Sequence, residues 1–526
     1  MRVLISIQTV DGLVNLTDGS AVTLTDRATG EARTYVPGVR IESDVLTFAL
    51  SFLSADTGPR SVSFTVLGTG GGTVQGLASV SILDGESLYY SDAKTIAEGE
   101  LSEIVADEHY WSATVTDDPM RVSGFLLDDR AVVDTSSWPR TDAERIADGD
   151  VAFVGTSPGI DPRAAGAQYP LPIGFPGLRT AGDYAGGIYG TNSIGSPGIL
   201  CELGTVLVAA DQTILIADGV VDAATVRRIS FDSSNEPYAE DLDVEVAHDR
   251  RGRAVSVVKP STNIIADSEQ WIAWQGGGIS DPYGVGVLRR VDHVIRWALD
   301  RSGERIDWQS MSPLAALSGM QIDTVITGQV DALDWLRSQV LPLLPVSVTE
   351  GPDGLYVWPW VIVDDRDPVT TITTGENAQR PEPWRRETPG AMTRCTVSYA
   401  HDARSGLATR RWTTAGAYRT TDDRTEVGLD LYARRMHAIF GERIGSPVEA
   451  EVICDPATAQ LVARWKIWAA CRLQAVGTFF MRRDDRLRPG APVMVADPVV
   501  SAVAQVEEVR YTGADSVAVT VRAWPE

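Results

Sequence analysis

Over much of its first quarter the chain alternates with a period of two. Leu46, Phe48, Leu50 and Phe52 are separated by Thr47, Ala49 and Ser51, and Val62, Phe64 and Val66 by Ser61, Ser63 and Thr65. Successive side chains of a pleated strand point to opposite faces, so this pattern predicts strands with one dry and one wet face. Gly68-Thr-Gly-Gly-Gly72 joins two strand-like runs with no helix after it, which reads as a turn and not as a phosphate cradle. Strands are predicted again over 205–210 and 213–217. A hairpin follows in which Leu242, Val244 and Val246 face Val255 and Val257 across an Asp249–Gly252 turn.

Between these β regions, residues 138–198 are rich in Gly and Pro, as in Tyr169-Pro-Leu-Pro-Ile-Gly-Phe-Pro-Gly177 and Gly186-Gly-Ile-Tyr-Gly190. This predicts a long irregular surface excursion. Its backbone groups need partners or water, so Tyr169, Phe175, Tyr184 and Tyr189 are expected to contact other chains. The same expectation attaches to Trp271, Trp274 and Tyr283, aromatic anchors flanking Gly276-Gly-Gly278.

After residue 280 the period changes. Val287, Leu288, Val291, Val294, Ile295 and Ala298 recur at helical spacing and Gly303 follows, predicting an amphipathic helix. Ser312-Pro313 marks a second helix start, a third helix over 330–341 is predicted to stop at Pro342, and a hairpin spans 346–363. Further on come a hairpin over 394–414 and a helix with Leu429, Tyr432, Ala433, Met436, Ile439 and Phe440 on one face, closed by Gly441. Asp455-Pro456 supplies an N-cap and a first-turn proline for a helix through Trp465, Trp468 and Leu473. Strands over 476–481, 492–495, 504–511 and 517–524 complete the chain.

The expected fold is therefore multidomain and mainly β with α+β insertions. Its units are an N-terminal β domain over 1–120, a β domain with the long Gly/Pro-rich loop over 121–265, a small α+β domain over 266–390, and a β-barrel-like domain with inserted helices over 391–526. A length of 526 residues is roughly three or four domains' worth.

Composition narrows the function. With 44 % hydrophobic and 22 % charged residues the chain is globular, and its net charge of −25 argues against a general nucleic-acid binder, since such affinity comes from basic groups that displace counterions. Four cysteines without a CxxC pair write neither a disulfide framework nor a zinc site. No window approaches the roughly 20 apolar residues of a membrane span, and the first residues lack a signal peptide's apolar stretch, so synthesis in a cytoplasm is expected.

Gly155-Thr-Ser157-Pro-Gly159 imitates a nucleophile elbow, but Pro158 has no N–H to give an oxyanion. The five histidines show no metal-ligand spacing, and His293 and His437 are expected on solvated helix faces. Asp364-Asp-Arg-Asp367 reads as a solvated turn and not as a calcium loop. No catalytic residue, metal or cofactor is expected, and the chain is not expected to be an enzyme.

The C-terminal third carries a resemblance. A strand over 448–453, the Asp455-capped helix, a strand over 476–481, then Arg486-Leu-Arg-Pro-Gly490-Ala-Pro-Val493 and a closing hairpin resemble the baseplate-hub or tail-tip hub proteins of long-tailed bacteriophages and gene transfer agents. In that family a turn of leucine, any residue, proline, glycine, aspartate, any residue and valine leads into the last sheet; here Ala491 stands at the aspartate position. Residues 333–360 likewise resemble the hub's small middle domain.

The resemblance implies a homotrimer whose two β-barrel-like, tail-tube-type domains per chain form a pseudo-sixfold ring between the hexameric tail tube and a threefold tip. It implies a place at the tail tip of the virion, with distal tail or tail tube proteins and a tail fibre or tip protein as neighbours. DNA would pass without specific binding, which an acidic lumen favours because like charge removes phosphate attraction. Two other expectations are a carbohydrate-binding or carbohydrate-cleaving protein acting at the bacterial surface, and a distal tail adaptor.

Overall fold

The computed structural model describes residues 2–9, 12–17, 20–41, 47–49, 61–67, 76–83, 87–106, 110–116, 124–127, 130–134, 166–175, 200–202, 207–208, 213–222, 225–231, 237–258, 269–273, 277–351, 354–360, 367–387, 392–402, 407–418, 425–484, 486–511 and 516–524. Strand outweighs helix, and the fold is mainly β and multidomain, as the alternation predicts.

Among the described residues, the N-terminal region forms a nine-stranded sheet. Its spatial order is Val22–Thr25, Ala32–Pro37, Gly12–Thr17, Arg2–Thr9, Gly76–Leu83, Lys94–Ala106, Tyr110–Thr116, Ser61–Leu67 and Val39–Ile41. Phe64 and Val66 are buried while Thr65 between them is half-buried, so period two does set the faces here. Thr47–Ala49 departs from this sheet. It pairs with the C-terminal strand Ser501–Tyr511, Phe48 lying opposite Val509.

The hairpin Glu245–His248 with Ala254–Val258 forms, but its register corrects the expected facing. The Asp249 N–H donates to the Arg253 carbonyl at 3.0 Å and Gly252 takes φ +78°, so the turn uses one residue more than the sequence suggests. Val246 consequently pairs with Ser256 and is exposed, while Val255 and Val257 are buried opposite Ala247 and Glu245. A one-residue shift in a period of two exchanges the faces.

Helix α1, Val291–Leu299, starts later than its periodicity suggests. Val287 is held extended in a bridge to Ser280, and the Leu288 N–H donates to the Ile279 carbonyl at 2.9 Å. Ser312-Pro313 lies inside a 3-10 helix, Gln309–Leu317, instead of starting an α-helix. Helix α2, Ala332–Trp335, is capped by Asp331 and continues as a π turn, Leu336–Val340, and a 3-10 turn, Leu341–Leu343. Pro342 sits within that last turn, where a missing N–H costs nothing. The hairpin Val346–Gly351 with Gly354–Pro359 follows as expected.

An eight-stranded sheet closes the chain. Thr371–Thr373, Pro492–Ala496, Ser501–Tyr511, Ser516–Ala523, Gln474–Arg482 and Ala378–Gln379 follow one another, with Arg385–Glu387 also on Gln474–Arg482 and Thr47–Ala49 on Ser501–Tyr511. Beside it stands a four-stranded sheet of Thr425–Leu429, Leu407–Ala415, Arg394–Asp402 and Val448–Ala450. Helix α3, Leu431–Phe440, and helix α4, Pro456–Cys471, complete this region; Asp455 caps α4, accepting from the Thr458 N–H and hydroxyl at 2.8 Å each. One continuous core runs from Leu299 and Leu336 through Val357 to Phe479, Val506 and Val519.

The apolar face predicted for α3 is only partly used. Ala433 is buried and Tyr432 and Met436 pack toward Ile467 and Trp468, but Leu429, Ile439 and Phe440 remain exposed, as does Leu431 beside them.

Candidate functional site

The two segments expected to reach for partners are bound to each other. Residues 169–174 are buried. Strand Leu171–Ile173 pairs with Thr324–Ile326, and the Ile279 N–H donates to the Pro172 carbonyl at 3.0 Å. The Gly278 N–H donates to the Gly174 carbonyl at 2.7 Å, and the Gly174 N–H to the Leu288 carbonyl at 2.8 Å. This part of the 138–198 stretch is therefore no surface excursion, because its backbone groups find their partners inside the chain.

The glycines follow from the same crossing. A Cβ on Gly278 would lie 2.2 Å from the Pro172 carbonyl oxygen, and one on Gly277 would lie 2.4 Å from Val287 Cγ2. They permit close backbone approach instead of supplying a flexible loop.

The expected contact residues separate accordingly. Tyr169 is fully buried and its hydroxyl donates to Asp249 Oδ2 at 3.0 Å, which corrects its assignment as a partner contact: it anchors the 249–253 turn within its own chain. Phe175 is half-buried under the Arg289 guanidinium, 5.0 Å from the ring centre, and its N–H donates to Asp323 Oδ1 at 2.8 Å. Trp271 lies on strand Glu269–Ala273 opposite Ile229 and Glu202. Tyr184, Tyr189 and Trp274 lie outside the described residues, as do the Trp271 side chain, Ser157 with its elbow-like motif, Gly68–Gly72 and the Asp364-Asp-Arg segment.

Tyr283 belongs to a charged aromatic cluster that periodicity and motif spacing do not reveal. Its hydroxyl bonds Asp300, and burial followed by that bond pushes its pKa above the usual tyrosine range. The Arg296 guanidinium stands 4.4 Å from the Tyr283 ring centre and 5.4 Å from that of Trp308. His293 is mostly covered, correcting the expected solvated position: its Nδ1 lies 2.6 Å from Asp281 Oδ2, and its Nε2 lies 3.8 Å from Asp292 Oδ2. Asp281 also accepts from the Tyr283 N–H at 2.9 Å. The Asp281 contacts to His293 and to the Tyr283 N–H hold this loop against α1. The turn composition of Asp281-Pro-Tyr-Gly-Val-Gly286 is the signal that marks this loop in the sequence.

Two further nodes fix the C-terminal sheet. At Leu487-Arg-Pro-Gly490, Tyr356 donates to the Pro489 carbonyl at 3.1 Å and the Gly490 N–H donates to the Val506 carbonyl at 2.7 Å. Gly490 has φ +90° and a Cβ there would lie 2.6 Å from Trp358 Cε3. Ala491 is fully buried, a position where alanine needs no polar partner and a carboxylate would. Asp497 accepts from Thr374 Oγ1, the Val499 N–H, Trp384 Nε1 and Arg380 Nε at 2.7, 2.9, 3.0 and 3.0 Å. Burial raises its pKa, but these donors together outweigh it and hold the carboxyl below the usual range.

Among the described residues no group of three or more His, Cys, Asp or Glu side chains is placed to hold a metal ion, and no helix is long and apolar enough to cross a membrane.

No family model matches the chain, and no curated protein matches it. Solved structures with a similar course are components of tails or virions. A prophage tail protein, gp18, from Listeria monocytogenes EGD-e aligns over 96 % of this chain and 94 % of its own, with 10 % identity and a TM-score of 0.33. A 43 kDa tail protein of prophage MuSo2 from Shewanella oneidensis aligns over 99 % and 98 %, with 10 % identity and a TM-score of 0.32. A chain from the virion of a native gene transfer agent particle aligns over 59 % and 77 %, with 11 % identity and a TM-score of 0.37.

Proposed function

We propose that the chain is a structural protein of a bacteriophage-type tail, a trimeric hub that closes or adapts the tail tube at its tip and lets DNA pass. The observation that carries this reading is the C-terminal arrangement. The Asp455-capped helix feeds strand Gln474–Arg482, and the Leu487-Arg-Pro-Gly490 turn delivers the chain into the closing strands of the eight-stranded sheet, the order on which the sequence resemblance rests. A scaffolding role agrees with where the polar groups are spent. Asp249, Asp281, Asp323 and Asp497 each hold a turn or a crossing of segments. Neighbours would be tail tube or distal tail proteins on one side and a fibre or tip protein on the other. A net charge of −25 suits a channel wall that DNA must leave.

The test is mass measurement of the chain's copy number in intact particles, together with a low-resolution image of the tail tip. A threefold ring is expected. A copy number not divisible by three overturns the trimer, and a location away from the tail overturns the reading as a whole.

A further inference from the structure

The chain's charge is divided unequally along its length. Residues 1–379 carry 25 basic and 53 acidic side chains, whereas residues 380–526 carry 21 basic and 18 acidic. Within the second part, α3 and its flanks present an apolar surface that nothing among the described residues covers. Leu429, Leu431, Ile439, Phe440 and Ile444 are between 49 % and 68 % exposed. Five large apolar side chains within sixteen residues exceed the scattered exposure of an ordinary surface. Leu431, Arg435 and Ile439 recur every four residues and therefore stand in one row along the helix.

The exposed charges on the helix itself are arginines, with Glu442 and Glu426 on its flanks. Arg434, Arg435 and Arg443 are exposed, with the Arg443 guanidinium 5.4 Å from the Phe440 ring centre. Two acids beside the helix are already engaged. Asp430 is buried, accepting from the Tyr432 and Ala433 N–H groups and from Trp468 Nε1, and Glu442 pairs with Arg394 at 3.2 Å. The patch is apolar with a basic rim, on a chain whose first 379 residues are strongly acidic.

We propose that this face docks a second copy of the chain, with α3 and residues 429–444 of one copy seated on the acidic 1–379 region of the next. Two different patches meet in such a contact, so it is head-to-tail and generates a ring when the rotation closes. Charge complementarity selects the acidic region as the receiving surface, and Leu429, Leu431, Ile439, Phe440 and Ile444 supply the apolar contact area that an interface needs. The inference rests on the assembly proposed above and adds to it the surface through which copies meet.

The test uses the full chain carrying Cys201→Ser and Ile439→Cys, labelled with a benzophenone maleimide before assembly and irradiated in the assembled particles. Position 439 is exposed in the single chain, Cys395, Cys454 and Cys471 are buried, and Cys201 is replaced, so the probe reports this face. The expected product has twice the mass of the chain, with cross-linked peptides from residues 1–379 of the neighbour. Arg434→Glu combined with Arg435→Glu, folded by circular dichroism, is expected to lower incorporation into particles about tenfold or more. Cross-links to residues 380–526, cross-links to a different protein, an absence of cross-links, or unchanged incorporation of the double variant would each overturn the proposal. A copy number divisible by three with cross-links elsewhere defeats this inference and leaves the hub standing. A copy number not divisible by three with the expected cross-link defeats the trimer and leaves the docking face.

Discussion

Replacing Asp497 by alanine should unfasten the 371–387 segment from the C-terminal sheet. The side chain is fully enclosed and accepts four hydrogen bonds, from Thr374, Val499, Trp384 and Arg380, so it ties the 374–384 segment to the 497–499 turn. Its removal leaves the Arg380 guanidinium, which is only 16 % exposed, without its carboxylate and the Trp384 N–H without its acceptor. Breaking a buried ion pair from one side costs about 3–5 kcal/mol, and Asp497→Asn, which keeps the volume and one acceptor oxygen, should cost about 2–3 kcal/mol. In the full chain, hydrogen exchange of amides in 371–387 and 492–500 should quicken by about 150-fold or more for the alanine variant, since about 1.4 kcal/mol is a factor of ten. Protection unchanged within about threefold would show that the four hydrogen bonds do not hold these segments together.

The same carboxylate sets a pH dependence whose sign follows from its depressed pKa. Unfolded, the group titrates at pH ~3.9. Folded, it titrates lower. Its contribution is therefore fully present above pH ~4 and is lost as pH falls from there through the folded value, a slope that Asp497→Asn should flatten in urea unfolding followed across that range.

Gly490→Ala should destabilise the same sheet by roughly 2–4 kcal/mol in thermal or urea unfolding, because it combines φ +90° with a Cβ 2.6 Å from Trp358; a loss below about 0.5 kcal/mol would count against it. Tyr169→Phe should keep the ring's packing and lose one buried hydrogen bond, costing about 1 kcal/mol and leaving particle assembly unchanged. Defective assembly in a folded Tyr169→Phe protein would restore a contact role to that residue. Cys395 and Cys471, whose thiols burial pushes up to about 11, should resist maleimide at neutral pH in the native chain and react in denaturant; labelling of either at the rate of an exposed thiol would contradict the burial.

Local chemistry is readable wherever a residue's own neighbours along the chain decide its conformation. Asp455-Pro456 predicts the start of α4 because a cap and a first-turn proline act within a single turn, and the alternation around Phe64 predicts a strand because the pleat has period two. Pairing is another matter. Whether Val246 or Val255 faces inward depends on one extra residue in a turn, and Thr47–Ala49 joins a sheet built by the far end of the chain. The 169–175 segment reads as a loop because Gly and Pro break every local period, yet 169–174 is buried, since its hydrogen-bond partners come from residues 279, 288 and 324–326. His293 reads as solvated on its helix and is covered by the loop that precedes it. Apolar spacing on α3 likewise shows that a face exists, but only packing shows that half of its residues are left exposed. The strand or helix character of the strongly periodic segments thus follows from residues within a few positions of one another. Which face is buried, which glycine is crowded and which carboxylate is satisfied follow from the assembled fold, because burial and hydrogen bonding depend on atoms that proximity along the chain does not bring together.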